Sequence, residues 1–313
     1  MEDSTSTSHP STAPPFTTST NEGHQGHIGD QYEVPAYEPH SSFTALKQRI
    51  RHHYDLASDY YYSLWGQHIH HAYFLAPTDT QETGQVNLIN LLLDISKLEQ
   101  GRTVLDVGCG IGGTTRHLAR EHGCSVTGIT ISGRQVQIAR RLTREEASKL
   151  HISSSSPPSL TMNAALSANT EGGPDVGPNA DVDANGFTPL GVRGGKVQYF
   201  ELDAENMEAH FPAGVFDCVW ISEALSHFPD KVLFFHNAAR VLRDGGGKLV
   251  IADWFKNERL TEEALVRDIR PIEDGMLLPP LCTPAEYVSL AEAAGLKILH
   301  EPKDISQDVA KTW

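Results

Sequence analysis

Thr103-Val104-Leu105-Asp106-Val107-Gly108-Cys109-Gly110-Ile111-Gly112-Gly113 is the stretch whose reading decides the fold. A short apolar, β-branched run enters a cluster of glycines, and the residues that follow (TTRHLARE) are helical in character, so the unit is strand, tight turn, helix. Four further runs have strand length and composition: Ser125 to Ile129, Val197 to Leu202, Phe216 to Ile221 and Lys248 to Ala252. Helical stretches separate them, one after Ser132 as N-cap (GRQVQIARRLTREEASKL) and one over Lys231 to Arg243 that ends at Asp244-Gly245-Gly246-Gly247. Strand and helix in alternation imply an α/β fold, a doubly wound and mostly parallel sheet with right-handed crossovers. Ligands of such sheets bind outside the carboxyl ends of the strands.

Gly108, Gly110 and Gly113 satisfy GxGxxG, a pattern that lets backbone approach a ligand and presents a helix N-terminus to it. Two residues speak against a dinucleotide. Asp106, at the strand end, would repel a pyrophosphate but attract an ammonium or sulfonium cation. The second strand ends Gly128-Ile129-Thr130-Ile131-Ser132, without the acid that a dinucleotide ribose expects roughly 20 residues on.

The remaining composition bounds the function. With 25 Lys+Arg against 40 Asp+Glu, a net charge of −15, the 313-residue chain offers no large basic surface for nucleic acid. No apolar run reaches the roughly 18 residues of a membrane span, so no integral membrane contact is expected. Four cysteines without CxxC pairing suit a reducing, cytosolic compartment. Residues 1–44 are rich in Ser, Thr, Pro and His and read as a disordered tail, and 151–195 (SSSSPPS, NTEGGPDVGPNADVDANG) reads as a low-complexity loop insertion. One domain, 45–313, then holds the fold.

The glycine stretch resembles the first motif of class I S-adenosylmethionine-dependent methyltransferases, a Rossmann-like family. Gly128-Ile129-Thr130-Ile131-Ser132 followed by Gln135 is similar to the second strand of the branch containing tocopherol, sterol C-24 and cyclopropane-forming enzymes. Trp65-Gly66-Gln67-His68-Ile69-His70-His71-Ala72-Tyr73-Phe74 resembles the WGxHxHHGYY segment of its tocopherol-like subgroup. Asp203-Ala204-Glu205, Glu223 with His227-Phe228-Pro229-Asp230-Lys231, and Asp304 to Ala310 match further on. The resemblance implies S-adenosyl-L-methionine as cofactor. Gly108, Gly110 and Gly112 would approach its methionine part with Asp106 near the charged end, Thr130, Ile131 and Gln135 would lie along the ribose, and Asp203 and Ala204 would meet the adenine. Relatives continue past the sixth strand, expected here over Leu296 to Pro302, with a helix and a seventh strand, whereas this sequence stops at Trp313. That seventh strand is expected to be missing.

His68, His70 and their neighbours lack a Cys or carboxylate at ligand spacing, so no metal is expected. Tyr54, Tyr61, Trp65 and Tyr73 suit an aromatic surround for a sulfonium. Glu223 and His227 follow the fourth strand, four residues apart at the rim, and are the catalytic candidates, His227 as a base with an ordinary pKa near 6.5. Ser226 stands where cyclopropane-forming relatives carry Glu, which argues against cyclopropanation. Residues 253–255 and 270–282 are expected to form a lid over an apolar acceptor pocket. The expected function is methyl transfer to a carbon, oxygen or nitrogen of a small, largely apolar metabolite of phenol, sterol, terpenoid or alkaloid type. The alternative is a methyltransferase-like cofactor-binding protein without turnover.

Overall fold

The five expected strands all form, their ends displaced by at most two residues, in a computed structural model that describes residues 42–154 and 182–312. β1 (Thr103–Val107) lies between β2 (Ser125–Thr130) and β5 (Cys218–Ser222), while a two-residue β3 (Thr188–Pro189), β4 (Lys196–Glu201) and β6 (Lys248–Ala252) complete the order β3-β4-β2-β1-β5-β6. Only β3 runs antiparallel. Successive residues of a strand face opposite sides of the sheet. Val104 therefore joins Leu118, Val126 and Trp220 in one core cluster, and Leu105 and Val107 join Ile129, Val219 and Phe234 in the other. Helices cover both faces, which is why the central β1 and β5 are buried nearly throughout rather than alternating.

The chain begins the sheet at β1, adds β2 and β4 outward on one side, then returns to add β5 and β6 on the other. The reversal leaves a crevice between the carboxyl ends of β1 and β5. Helices α1 (Phe43–Trp65) and α2 (Gln81–Ser96) precede the sheet; α3 (Gly113–His122), α4 (Gly133–Ser154), the short α5 (Met207–His210) and α6 (Lys231–Val241) cross between strands. Ser42 caps α1 through Ala45 N (3.1 Å), and Asp230 caps α6 through Leu233 N (2.9 Å).

Three expectations need correction. The tail was placed over 1–44, but positions 43–44 already belong to α1; 1–41 lie outside the described residues. The loop insertion was placed over 151–195, but α4 runs to Ser154 and the buried Leu190 and strand β3 pack on the sheet, because polar composition in that segment hid two ladder residues and one anchor. Its centre, 155–181, lies outside the described residues. Leu296 to Pro302 is not a strand. Leu296 and Ile298 pack on the second core cluster, and no described strand lies alongside to pair their backbone, so the sixth strand of the sheet is β3.

Candidate functional site

A cleft enclosing roughly 1050 Å³, open mouth included, lies over the crevice between β1 and β5. Its floor is the set of loops at the carboxyl ends of β1, β2, β4 and β5. Asp106, Gly108, Gly110, Thr130, Ile131, Gln135, Asp203, Ala204, Glu223 and His227 all line it, brought together from positions up to 121 residues apart. Gly112 does not. A Cβ there would sit 2.6 Å from Tyr199 Oη, so that glycine admits the tyrosine beneath the loop rather than a ligand above it. Asp106 accepts a hydrogen bond from Thr115 Oγ1 (2.6 Å), yet burial without a cationic partner pushes its pKa up to about 7. Thr130 Oγ1 donates to Gln135 Oε1 (2.6 Å), and Asp203 Oδ1 accepts from Glu205 N (3.0 Å).

The roof comes from the other end of the sequence. Lys47 on α1 donates to Asp203 Oδ2 (2.9 Å) and to Glu205 Oε2, and these two carboxylates outweigh burial to hold its pKa above the ordinary value. Asp55 caps the start of α4 from outside, accepting from Ser132 Oγ and Arg134 N, and Asp59 pairs with the Arg134 guanidinium (2.7 Å). After α1 an extended strap, Gln67 to Phe74, crosses the cleft with His68, Ile69 and His70 in its lining. Gln85 Nε2 holds the strap's carbonyls at His68 (2.9 Å) and His70 (3.1 Å). Buried Arg116 ties its Gln67 side chain (2.8 Å) to the glycine loop's Ile111 carbonyl (2.7 Å). Gly113, the last glycine of the motif, carries the Gln67 carbonyl where a Cβ would be, so it seats the strap.

The two catalytic candidates differ from each other in kind. Glu223 has a left-handed backbone (φ 54°), and both its oxygens serve the roof: Oε1 accepts from His71 N (2.9 Å), Oε2 pairs with His71 Nδ1 (2.6 Å) and accepts from Trp254 Nε1 (3.3 Å). Burial raises its pKa, but the His71 contacts prevail and leave it below the ordinary value. It is a clamp for the strap. His227 sits 3.1 Å, Nε2 to Oη, from Tyr54 of α1, and burial lowers its pKa from the expected 6.5 to about 4. The two groups share one hydrogen bond whose direction the imidazole tautomer sets. Nδ1 of His227 and Oγ of Ser222, both from lining residues, are buried with no hydrogen-bond partner among the described residues.

Of the four aromatic candidates only Tyr54 lines the cleft; Trp65 stacks edge-on to His71, Tyr61 bonds His53 and Tyr73 is buried. The lid expectation also fails, since 253–255 and 270–282 contribute nothing to the lining. Leu278 and Leu281 are core there, and Glu273 binds Leu281 N (2.7 Å). Lys47, Glu205, Ser222 and Arg116 were missed: the Lys47–Glu205 and Arg116–Gln67 pairs span 158 and 49 residues, too far to leave a local signal, and Ser222 has no side-chain partner among the described residues that could reveal it. His68 and His70 lie with ring centroids 5.2 Å apart, and no metal-binding cluster occurs among the described residues.

Residues 41–153 match the family described as mycolic acid cyclopropane synthetase, and 176–251 match a methyltransferase domain family. The chain is 29% identical over 282 residues to a probable tocopherol O-methyltransferase of Oryza sativa, covering 86% of this chain and 64% of that one. It is 32% identical over 195 residues to a 2-methyl-6-phytyl-1,4-hydroquinone methyltransferase of Synechocystis, covering 61% and 45%. Thus it spans less than two thirds of the length of either relative. The crystal structure of the [4+2]-cyclase SpnF superposes with a TM-score of 0.60 at 23% identity, covering 84% of this chain and 76% of that one. Fold and motifs together define a Rossmann-like class I methyltransferase fold. Both family matches and these relatives make the chain similar to the class I S-adenosylmethionine-dependent methyltransferases, in the branch of the tocopherol and sterol C-24 methyltransferases. The rice relative is chloroplastic by name, so the cytosolic setting gains no support. No described helix is long and apolar enough to cross a membrane.

Proposed function

We propose that this protein binds S-adenosylmethionine on the floor of the cleft and transfers its methyl group to an oxygen of a small, neutral, largely apolar metabolite of phenol or hydroquinone type. The observation that carries this reading is the separation of charge along the cleft. Asp106 is a buried carboxyl with no cationic partner, a fit for the charged end of the cofactor, while Ile50, Ile131, Leu202 and Ala204 offer apolar contact to its ring. The bound cofactor would supply an electrophilic methyl on a sulfonium: the carbon–sulfur bond would break as the bond to the acceptor oxygen forms, leaving S-adenosylhomocysteine, and the hydroxyl proton would pass to water at the open mouth of the cleft.

The acceptor end carries no spare charge. Lys47 is the one Lys or Arg among the described lining residues, and it is spent on Asp203 and Glu205. Burial lowers the pKa values of His68, His70 and His227, so near neutral pH they add no positive charge for a phosphate or carboxylate. Both Glu223 oxygens are engaged, which leaves no free carboxylate beside His227 for an ammonium acceptor. Ser222 Oγ and His227 Nδ1 remain as neutral hydrogen-bonding groups, suited to holding an acceptor oxygen in line with the methyl. Ser226, not Glu, precedes His227, which weighs against cyclopropanation.

The test is transfer from trideuteromethyl S-adenosylmethionine to a panel of hydroquinones, phenols, sterols, alkaloids, phosphorylated alcohols and amines, read by mass spectrometry. Labelled methyl ether on a neutral hydroxyl compound is expected. Label only on a phosphorylated or ammonium acceptor contradicts the charge argument. Tight cofactor binding with no labelled product supports the second reading, a binding protein without turnover.

A further inference from the structure

The strap over the cleft has two anchored edges. His71 N donates to Glu223 Oε1 (2.9 Å) and Tyr73 N to the Gly84 carbonyl (2.8 Å), whereas Ala72 N donates to Thr312 Oγ1 (3.1 Å) and Phe74 N to the Asp308 carbonyl (3.0 Å). In extended backbone, alternate N–H groups point to opposite sides. One side is therefore held by the rim of the cleft and α2, the other by the C-terminal segment. Thr312 Oγ1 also donates to the Ala72 carbonyl (3.4 Å), so one side chain serves both backbone groups of a fully buried residue 240 positions away. Ala72 is wedged against Gly84 on the far side, where a Cβ on the glycine would lie 2.6 Å from that of Ala72. Lys311 reinforces the contact, with Nζ donating to the Pro77 carbonyl (3.0 Å) and lying 4.8 Å from the Phe74 ring centroid.

We propose that Thr312 is a positioning residue for the cofactor site, acting through the strap: by fixing Ala72 it holds His68, Ile69 and His70 over the cleft. Gln85, Glu223, Asn87 and the strap's own His70 side chain hold neighbouring backbone positions, and Ala72 is held by Thr312. The C-terminal segment thus belongs to the binding site although it does not line it. This rests on the cleft being a cofactor site, so the test has one readout that needs no ligand.

Hydrogen exchange of the full chain without ligand should show faster exchange of amides 68–74 in Thr312→Val, with Thr312→Ser restoring the parent rate. Stopped-flow displacement of S-adenosylhomocysteine should show dissociation accelerated about fivefold in Thr312→Val, the effect of one neutral hydrogen bond, and restored in Thr312→Ser. Unchanged strap exchange in Thr312→Val overturns the proposal. So does unchanged dissociation where the parent binds. A parent that fails to bind S-adenosylhomocysteine refutes the cofactor reading, and the exchange result then still decides the role of Thr312 in holding the strap.

Discussion

Floor and roof of the cleft are built on different principles. The floor is backbone: the loops at the carboxyl ends of four strands, with a glycine turn whose positive φ values are set by its own residues. The roof is a set of long-range pairs, Lys47 to Asp203, Tyr54 to His227, His71 to Glu223 and Ala72 to Thr312, each spanning more than 150 residues. A ligand that enters must satisfy the floor and pass the roof, so substitutions in the two regions should separate affinity from closure.

The largest effect that does not depend on pH is expected at the clamp between them. Glu223→Ala removes the carboxylate shared by buried His71 and half-buried Trp254 and should cost about 3 kcal/mol in urea unfolding. Glu223→Gly loses the same bonds but relieves the left-handed backbone, and should recover about 1 kcal/mol of that. Equal losses would deny the strain.

Next, two glycines of one motif should behave differently. Gly113→Ala drives a methyl into the Gln67 carbonyl and should cost about 2 kcal/mol, loosening the strap so that a protease cuts near it. Gly110→Ala meets only Ile69 Cδ1 at 4.0 Å, an ordinary contact, and should cost only about 1 kcal/mol, from its positive φ (54°), with the strap still protected. Strap cleavage in both would merge floor and roof into one unit.

Asp106 differs from these in depending on pH. Its folded pKa, about 7, lies above that of the unfolded chain, about 4, so its contribution to stability is complete below pH 4 and is lost as pH rises through 7. Asp106→Asn, which cannot ionise, should therefore melt above the parent at pH 8 and converge on it near pH 4, while binding S-adenosylhomocysteine more weakly. A constant difference in Tm across that range would refute the unpaired buried carboxyl.

The smallest effect concerns His227. With its pKa at about 4, it gives no ascending limb between pH 6 and 8 in a pH–rate profile, whereas a base of ordinary pKa would. A limb that disappears in His227→Gln would restore the role of general base.

These contrasts explain how far the sequence could be read. The strands were legible because two-sided burial demands apolar runs, and the glycine turn because positive φ restricts residue choice. Ten of eleven expected site residues line the cleft; the eleventh, Gly112, shows that a glycine motif records close packing from below as well as ligand approach from above. His227 was found as a residue but not in its protonation, since burial by α1 has no signature near position 227. Glu223 was read as a catalytic group because nothing local reveals His71 against it. The lid was misplaced for the same reason: Leu277 to Cys282 is apolar, and composition does not tell core from cover.

The central claim, that the floor recognises S-adenosylmethionine, is tested most directly by calorimetric titration of the full chain with S-adenosylhomocysteine, in parallel with NADH and with Asp203→Ala. The account predicts saturable one-to-one binding of S-adenosylhomocysteine, weakened in Asp203→Ala, and no heat from NADH. Binding of NADH in its place, or affinity for S-adenosylhomocysteine unaffected by loss of Asp203, would contradict it.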